Sequence, residues 1–456
     1  MKILAIIGVI FAFLALTKIY VYRRVLRHTF IFANHRKLLI FLLALLFALE
    51  VGFWFAQRAF KALGMLDLEQ TIYGILGGCI VASYCLFVAC VVADVLRGGT
   101  RILLFSPIFA RLRHFVKNIF QSRIFSRFST QAKSQESASQ KSIGAESGGA
   151  DSIGAKSANL DSAKMDSATA RPAMPNPTAQ NTAPATSRRR FLKILYDLGV
   201  FALFFFFIIK SRKNALDIPP VRTLEIPLPR LKTPKTIAMV SDLHIGKTLG
   251  ASFLQGIIDK INALDADVVV IVGDLVDDDV RLLKRELRLL NDIQSKEGVF
   301  YVTGNHEYYH GIEPIMAFLR TLNIRVLENE NLELRDFNIA GVHDLAGLRF
   351  GKMRPDIQKA AANLAPNKPN ILLAHQPKFI RQNDVSAFDL VLCGHTHAGQ
   401  VFPLSFFVWL DQHYIHGLYE LSKKTKLYVS SGAGFWGPSI RFLAPSEIVR
   451  LKLIPA

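Results

Sequence analysis

Two short polar stretches are the best guide to the fold of this chain: Ser-Asp-Leu-His-Ile-Gly at 241–246 and Gly-His-Thr-His-Ala-Gly-Gln at 394–400. Three further polar motifs lie between them: Gly-Asp-Leu-Val-Asp at 273–277, Gly-Asn-His-Glu at 304–307 and Ala-His-Gln-Pro at 374–377. Each follows a short apolar run of the kind that forms a buried strand. Open α/β sheets bind ligands at the carboxyl edge of their strands, so we expect these Asp, His and Asn side chains to meet there.

The apolar runs alternate with helical patterns, which predicts an α/β domain. The predicted strands are 236–240, 267–272, 299–303, 338–342, 371–374 and 390–393, and the helical stretches include 253–264 and 281–293. An isolated Asp or His after a strand is usually a turn former or a cap. Five such groups along one domain are hard to explain by turn chemistry alone, so they indicate a functional site.

The motif side chains are oxygen and nitrogen donors without a thiolate, a set that suits Mn, Fe or Zn. They are too many for a single tetrahedral site. The sequence therefore indicates two divalent ions and a metal-dependent hydrolase.

Residues 236–453 resemble the calcineurin-like metallophosphoesterases. The family pattern D-x-H, G-D-x-x-D, G-N-H-E, H and G-H-x-H is matched in order and in full. The resemblance implies that residues 214–456 form a metallophosphoesterase two-sheet α/β sandwich with a dinuclear centre. It also implies hydrolysis of a phosphoester by metal-activated hydroxide, which attacks phosphorus in line.

The resemblance further implies a role for each motif residue. The first ion would be held by Asp242, His244 and His397, the second by Asn305, His375 and His395, and Asp274 would bridge both. His306 would protonate the leaving group, oriented by Asp277. We expect Gly273, Gly304 and Gly394 to let the backbone turn sharply beneath the ions.

Other features of this half leave alternatives open. Arg441 follows a segment that resembles the closing loop of membrane-associated family members; it would contact a substrate phosphate or form a structural salt bridge. The apolar segment 402–410 would line a lipid-accepting cleft, touch a bilayer or pack within the core. Four histidines match no motif and are interpreted as ordinary surface or core residues: His310, His343, His413 and His416.

The N-terminal half carries membrane signals. Four apolar runs are long enough to span a bilayer, at 3–20, 38–56, 72–96 and 192–209. Residues 1–128 are predicted to form a three-helix transmembrane region followed by a basic amphipathic segment, which lies on the cytoplasmic leaflet or caps the bundle. Within the spans, Glu50 and Asp94 would serve a relay or a structural role. Residues 129–187 contain no aromatic residue and no valine, which predicts a disordered linker.

The net charge of +19 belongs to the N-terminal half, which has 28 Lys and Arg against 10 Asp and Glu through Lys213. The remainder has 27 against 26. The basic residues flank apolar segments rather than forming a patch on a folded domain, so we predict no nucleic-acid partner. By the positive-inside rule, the N-terminus lies outside and the chain after the third span is cytoplasmic.

Residues 187–193, Ser-Arg-Arg-Arg-Phe-Leu-Lys, precede the fourth apolar run and resemble a twin-arginine export signal. Residues 188–213 are therefore predicted to be a signal and transmembrane anchor, with the twin-arginine machinery as a partner. The alternative is an ordinary basic flank. Both place the catalytic domain outside the cytoplasmic (inner) membrane.

The leading prediction is a multi-pass membrane phosphoesterase acting on a lipid or cell-envelope phosphate. One alternative is a membrane sensor or transporter with a regulatory phosphoesterase domain. The other is a cytoplasm-facing nucleotide phosphodiesterase.

Overall fold

The computed structural model describes residues 2–24, 26, 35–63, 66–105 and 183–456. Before residue 217, these ranges contain four long helices: α1 (Lys2–Arg24), α2 (Arg36–Leu63), α3 (Leu66–Phe105) and α4 (Ala183–Leu216). Two segments, Ile75–Gly98 and Arg188–Leu216, are long and apolar enough to cross a membrane. The crossings predicted at 3–20 and 38–56 stay predictions.

The boundaries predicted between the regions of the N-terminal half lie only partly within the described residues. Helix α4 begins at Ala183, inside the predicted linker. Residues 106–182, which hold the rest of that linker and most of the amphipathic segment, lie outside the described residues. The chain divides into two compact units, one made of Met1–Ala89 with Phe201–Ala456 and the other of Cys90–Val200.

Helices α1 and α2 share a buried ion pair. The ammonium group of Lys18 pairs with the carboxylate of Glu50, and both side chains are buried. A charge among apolar side chains is costly unless it is paired. This partner accounts for the position of Glu50 without a proton relay.

Residues 217–456 form a domain that contains two six-stranded sheets. The order of the first sheet is β1 (Val221–Leu228), β12 (Ile448–Pro455), β2 (Lys235–Val240), β3 (Val268–Val272), β4 (Val299–Val302) and β5 (Arg325–Val326). Strands β2 to β5 are parallel, β12 is antiparallel to β2, and β1 is parallel to β12.

The order of the second sheet is β10 (Gly417–Glu420), β11 (Lys426–Val429), β9 (Leu390–Cys393), β8 (Asn370–Leu373), β7 (Asn338–Gly341) and β6 (Glu330–Glu333). The four central strands are parallel, and the edge strands β10 and β6 are antiparallel to their neighbours. The predicted two-sheet α/β sandwich is confirmed.

The two sheets face each other across a shared core. Val270 and Val272 of the first sheet belong to the same buried cluster as Leu373 and Leu392 of the second. Strands buried on both faces are continuously apolar, which is why the sequence predicted them well. All six predicted strands are present to within one residue at each end.

Helices cover the outer faces of the sandwich. Helix α5 (Ala251–Asn262), α6 (Val280–Leu287) and α8 (Ile312–Leu319) pack on the first sheet through one buried cluster. The predicted helix 281–293 divides into α6 and a 3₁₀ turn at Arg288–Asp292. The remaining helices are α7 (Asn305–Tyr309), α9 (Ala346–Phe350), α10 (Ile357–Ala360), α11 (Phe379–Gln382) and α12 (Leu404–Gln412).

Candidate metal centre

The motif residues follow the carboxyl ends of five parallel strands. Three strands of the first sheet, β2, β3 and β4, lead to Asp242 and His244, Asp274, and Asn305. Two strands of the second sheet, β8 and β9, lead to His375 and to His395 and His397. Both sheets therefore deliver ligands to one end of the sandwich, as predicted.

The loops that hold these side chains turn in an uncommon backbone conformation. Five of the predicted ligands have left-handed φ angles: Asp242 (55°), His244 (48°), Asp274 (50°), His395 (71°) and His397 (49°). A non-glycine residue in this region costs about 1–3 kcal/mol, and such residues cluster at functional sites. Backbone hydrogen bonds maintain the turns, since the N–H groups of Asp242 and His244 donate to the carbonyls of Gly273 and Asp274.

Two glycines serve a different purpose from the one predicted. Gly273 has φ +75° and supplies a left-handed turn, as expected. Gly304 has an ordinary φ of −105°, and a Cβ there would lie 2.2 Å from Oδ1 of Asp274. Gly394 likewise leaves room for the carboxylate of Asp242. These two positions require glycine for space rather than for conformation.

The predicted ligands gather in two groups of side chains able to hold a metal ion: Asp242 with His244 and His397, and Asp274 with His375 and His395. In the first group, Nε2 of His397 lies 3.0 Å from Nε2 of His244 and 3.3 Å from Oδ1 of Asp242. In the second, Nε2 of His375 lies 3.1 Å from Oδ2 of Asp274. Asp274 also lies 3.8 Å from His244, so it stands between the groups.

Two buried atoms test whether these residues fit a metal. Oδ1 of Asn305 is buried without a hydrogen-bond partner, which is uncommon in proteins, and Nε2 of His375 is buried with only the carboxylate of Asp274 beside it, at 3.1 Å and outside hydrogen-bond geometry. Nδ1 of His375 lies 2.9 Å from the carbonyl of Val272; donating to it leaves Nε2 as the free ligand atom. Metal-bound histidines are held in this way. The residues therefore fit divalent cations bound by oxygen and nitrogen.

The carboxylate that lies between the two groups, Asp274, is ionised. Burial acts to raise the pKa of Asp274, but His375 and His306 outweigh it and hold that pKa well below its ordinary value. Burial acts to lower the pKa of His375, but the neighbouring carboxylates, Asp274 foremost, outweigh it and raise that pKa. An ionised carboxylate shared by both groups is suited to hold cations.

His306 and Asp277 are in contact, as the resemblance implies. Nδ1 of His306 lies 2.5 Å from Oδ1 of Asp277, which is also 2.8 Å from Nδ1 of His244. The side chain of His306 is 19% exposed, so substrate can reach it. Burial lowers the pKa of His306, but Asp274 and Asp277 outweigh it and raise that pKa to about 9.

Glu307 has a structural role that sequence reasoning missed. Its fully buried carboxylate accepts hydrogen bonds from the N–H groups of Gly304 (2.6 Å), Leu275 (2.7 Å), Asp274 (3.2 Å) and Val276 (3.3 Å). It thereby ties the Asp274 loop to the Asn305 loop. The sequence contained a signal for this role, because Glu307 directly follows the predicted site residues Asn305 and His306. A carboxylate at that position indicates a function at the site.

Arg441 lies behind the ligands and is fully buried. Its guanidinium donates to the carbonyls of Gly434, Ser431 and Ala444, and Nη2 lies 2.8 Å from Nδ1 of His397. Burial lowers its pKa to about 10. This geometry supports His397 and the loop after β11, whereas contact with a substrate phosphate stays a prediction.

The histidines left outside the motifs lie in different places. His310 forms another group of close side chains with Asp277 and His306. His413 stacks on Trp409, and Nε2 of His416 lies 3.5 Å from Glu447. Of these three, His310 is therefore the residue that sequence reasoning left out of the site.

Comparisons with known proteins agree with this geometry. The family model described as calcineurin-like phosphoesterase matches residues 235–399. The chain is 49% identical over 263 residues to an uncharacterized metallophosphoesterase of Campylobacter jejuni, covering 58% of this chain and 70% of that protein. It is 36% identical over 258 residues to a Bos taurus transmembrane protein with metallophosphoesterase domain, covering 53% of this chain and 58% of that protein.

A solved structure, a dimetal phosphatase from Danio rerio, is similar at a TM-score of 0.29 and 13% identity, covering 44% of this chain and 88% of that one. At this score the likeness adds nothing to the assignment.

Proposed function

Because the chain belongs to the calcineurin-like phosphoesterase family and is a metal-dependent phosphoester hydrolase, we propose that it acts on a lipid or cell-envelope phosphate at the outer face of the cytoplasmic membrane. The observation that carries this proposal is the packing of the catalytic domain on two helices apolar enough to cross a membrane.

Divalent ions held by the two groups of side chains would supply charge stabilisation for the phosphoryl oxygens and activation of water as a nucleophile. His306 donates a proton to the departing oxygen, and Asp277 holds its ring in place; such proton transfer contributes roughly 10²–10⁴-fold to rate. Asn305 offers a neutral oxygen, which adds no negative charge beside a phosphate.

The contact between the catalytic domain and the helices is specific. Val401, Ile440 and Phe442 of the domain pack against residues of the two candidate spans, namely Val81, Tyr84, Cys85, Phe204, Phe207 and Ile208. The hydroxyl of Tyr84 also donates to the carbonyl of Phe402. The domain thus touches the N-terminal half of Ile75–Gly98 and the C-terminal half of Arg188–Leu216. The positive-inside rule for the first three spans assigns the first of these halves to the outer side. A fourth crossing from the cytoplasm would put the second half there too, although Lys210, Arg212 and Lys213 at the end of α4 oppose this direction.

The substrate class is tested with matched lipid and soluble phosphates. The full chain is reconstituted in vesicles, and phosphate release is compared for long-chain phosphatidic acid, glycerol 3-phosphate and nucleoside monophosphates. We expect the highest kcat/KM for the lipid, and the Asp274→Asn variant controls for contaminating activity. Faster turnover of nucleotides than of the lipid would contradict the proposal and favour the nucleotide alternative.

The role of His306 is tested through the leaving group. His306→Ala is expected to slow the hydrolysis of alkyl phosphates by roughly 10²–10⁴-fold and that of aryl phosphates much less, because a phenolate leaves without a proton. Bound metal should be retained, as measured by elemental analysis. Equal losses on both substrate types would exclude the general-acid role.

The side of the membrane is tested at the twin-arginine-like motif. Arg188, Arg189 and Arg190 are exposed on α4 ahead of the apolar segment, which suits recognition by an export receptor. Changing all three to Lys keeps the charge, so an ordinary flank should tolerate it, whereas an export signal should not. Protease added to spheroplasts should digest the wild-type domain and spare the variant. Protection of the wild-type domain would place it in the cytoplasm.

A further inference from the structure

Helix α12 exposes a continuous apolar surface beside the metal centre. We define this surface by six side chains, each 38–58% exposed: Phe402, Leu404, Phe406, Phe407, Trp409 and Leu410. The face turned toward the domain contains Ser405, Val408 and Gln412, so the outward face is the more apolar one. A helix on a water-exposed protein surface has the opposite arrangement. This exposure excludes packing within the core, one of the three alternatives for 402–410, and an exposed apolar surface of this kind marks an interaction site.

The neighbours of this surface place it at membrane depth. The carbonyl of Phe402 accepts the hydroxyl of Tyr84, which belongs to a candidate span. The ring of Phe442 lies 5.9 Å from the ring of Tyr84 and 5.2 Å from that of Phe207. The apolar surface is therefore continuous with the contact between the domain and the spans, so a bilayer around those spans also meets α12.

Both ends of α12 are tied to metal-ligand loops. At its start, the 3₁₀ turn His397–Gly399 leads into the segment. The side-chain amide of Gln400 there donates a hydrogen bond to the carbonyl of Trp436 and accepts one from its N–H. At its end, the buried Gln412 accepts from the N–H of Lys378 and donates to Gln376, the residue after His375. The surface thus borders the site on two sides.

We propose that α12 inserts into the boundary between lipid headgroups and acyl chains, and that the phosphate of a lipid reaches the metal centre across it. The proposal rests on the proposed function for its substrate but not for its insertion. The apolar side chains would contact acyl chains, while Lys378 and Asp411, an exposed ion pair at the end of the helix, stay at headgroup level. The lipid would keep its chains in the bilayer throughout the reaction.

Insertion is tested by the fluorescence of Trp409 in the full chain. Trp54→Phe and Trp436→Phe leave Trp409 as the only tryptophan of the three. The protein is reconstituted in phosphatidylcholine vesicles with bromine near the ester end of the acyl chains. We expect brominated lipid to remove most of the Trp409 emission and aqueous acrylamide to remove little.

The matched control places a tryptophan at another exposed apolar position, Leu282→Trp on α6, with all three native tryptophans changed to Phe. Leu282 is 58% exposed, like the residues of the surface, but α6 packs on α5 and α8. Acrylamide should quench it and brominated lipid should not. Equal lipid quenching at the two positions would overturn the proposal. Shielding of Trp409 from both quenchers would also overturn it, by indicating a second protein copy on the surface.

A kinetic test uses the double variant Phe406→Ser and Phe407→Ser. Loss of two inserted aromatic side chains should reduce activity on vesicle phosphatidic acid by about tenfold or more, relative to activity on p-nitrophenyl phosphate in the same preparation. An unchanged ratio would contradict the proposal. If Trp409 is quenched by lipid but phosphatidic acid is not hydrolysed, the proposed substrate is wrong and the insertion stands.

Discussion

The Glu307→Gln substitution offers the sharpest test of how the metal-ligand loops are held. Glutamine has almost the same shape but replaces one carboxylate oxygen by an NH₂ group. In the native chain, Oε1 accepts from Leu275 and Val276, and Oε2 accepts from Gly304 and Asp274. Whichever oxygen is replaced, two backbone N–H groups then face another donor.

The cost follows from these contacts. A hydrogen bond to a charged group contributes about 1.5–3 kcal/mol, and a buried donor without an acceptor is penalised further. Losing two of four such bonds should lower the free energy of unfolding by roughly 3–6 kcal/mol. Natural domains have only about 5–15 kcal/mol, so the variant should fold but with a small margin. Because the two loops carry Asp274 and Asn305, metal content should fall as well.

The assay is pulse proteolysis of the detergent-solubilised full chain in increasing urea, with the catalytic-domain fragment quantified on gels. The urea midpoint and slope give the change in unfolding free energy. The control is Glu328→Gln, which removes the exposed ion pair with Arg320 and should cost about 0–1 kcal/mol. A midpoint for Glu307→Gln no lower than that of the control, with normal metal content, would refute the reasoning.

Three further predictions concern other buried charges. Asp274→Asn should abolish most activity and metal binding, since this carboxylate lies between both ligand groups; near-normal turnover with metal bound would contradict that role. Glu50→Gln should destabilise the helices in detergent melts by about 3–5 kcal/mol, because it leaves Lys18 buried and unpaired. Exchanging the two residues, with Glu at 18 and Lys at 50, should restore part of this loss. Equal melting temperatures for the wild type, Glu50→Gln and the exchanged protein would argue against the pair. Arg441→Lys should weaken metal retention during titration with a chelator, because a lysine cannot reproduce the planar fork beside His397, and unchanged retention would show that the fork is dispensable.

The sequence predicted the ligand end of the fold well for a physical reason. Strands buried on both faces are apolar without interruption, and five of the six predicted strands end at a polar motif. The apolar run and the polar residues that follow it therefore support each other's interpretation. The first and last strands, β1 and β12, lack this signal, since β1 alternates exposed and buried residues and ends without a motif. Their parallel pairing joins segments more than 200 residues apart in the chain, which local patterns do not encode.

Other features depend on contacts that no local pattern specifies. Nothing near Glu50 indicates that Lys18, on another helix, is its partner. Arg441 in isolation is equally compatible with a phosphate ligand and with the carbonyl-rich environment that the structure shows. The location of α12 could not be predicted from its sequence, because a segment buried in a core and a segment that faces a membrane have the same apolar composition. The contact with the candidate spans is what distinguishes the two locations.

The attachment between the catalytic domain and its helices has a consequence for how substrate is found. The domain is held at separate points, by Tyr84 on the carbonyl of Phe402 and by Ser211 and Asn214 on the backbone of Arg441. A domain on one flexible tether would sample many orientations, and only a few would present the metals to a given surface. Attachment at several points fixes the orientation in advance, so the entropy of alignment is lost during folding rather than at each encounter. For a substrate confined to the same bilayer, the search then becomes lateral diffusion in two dimensions toward a site that already faces it.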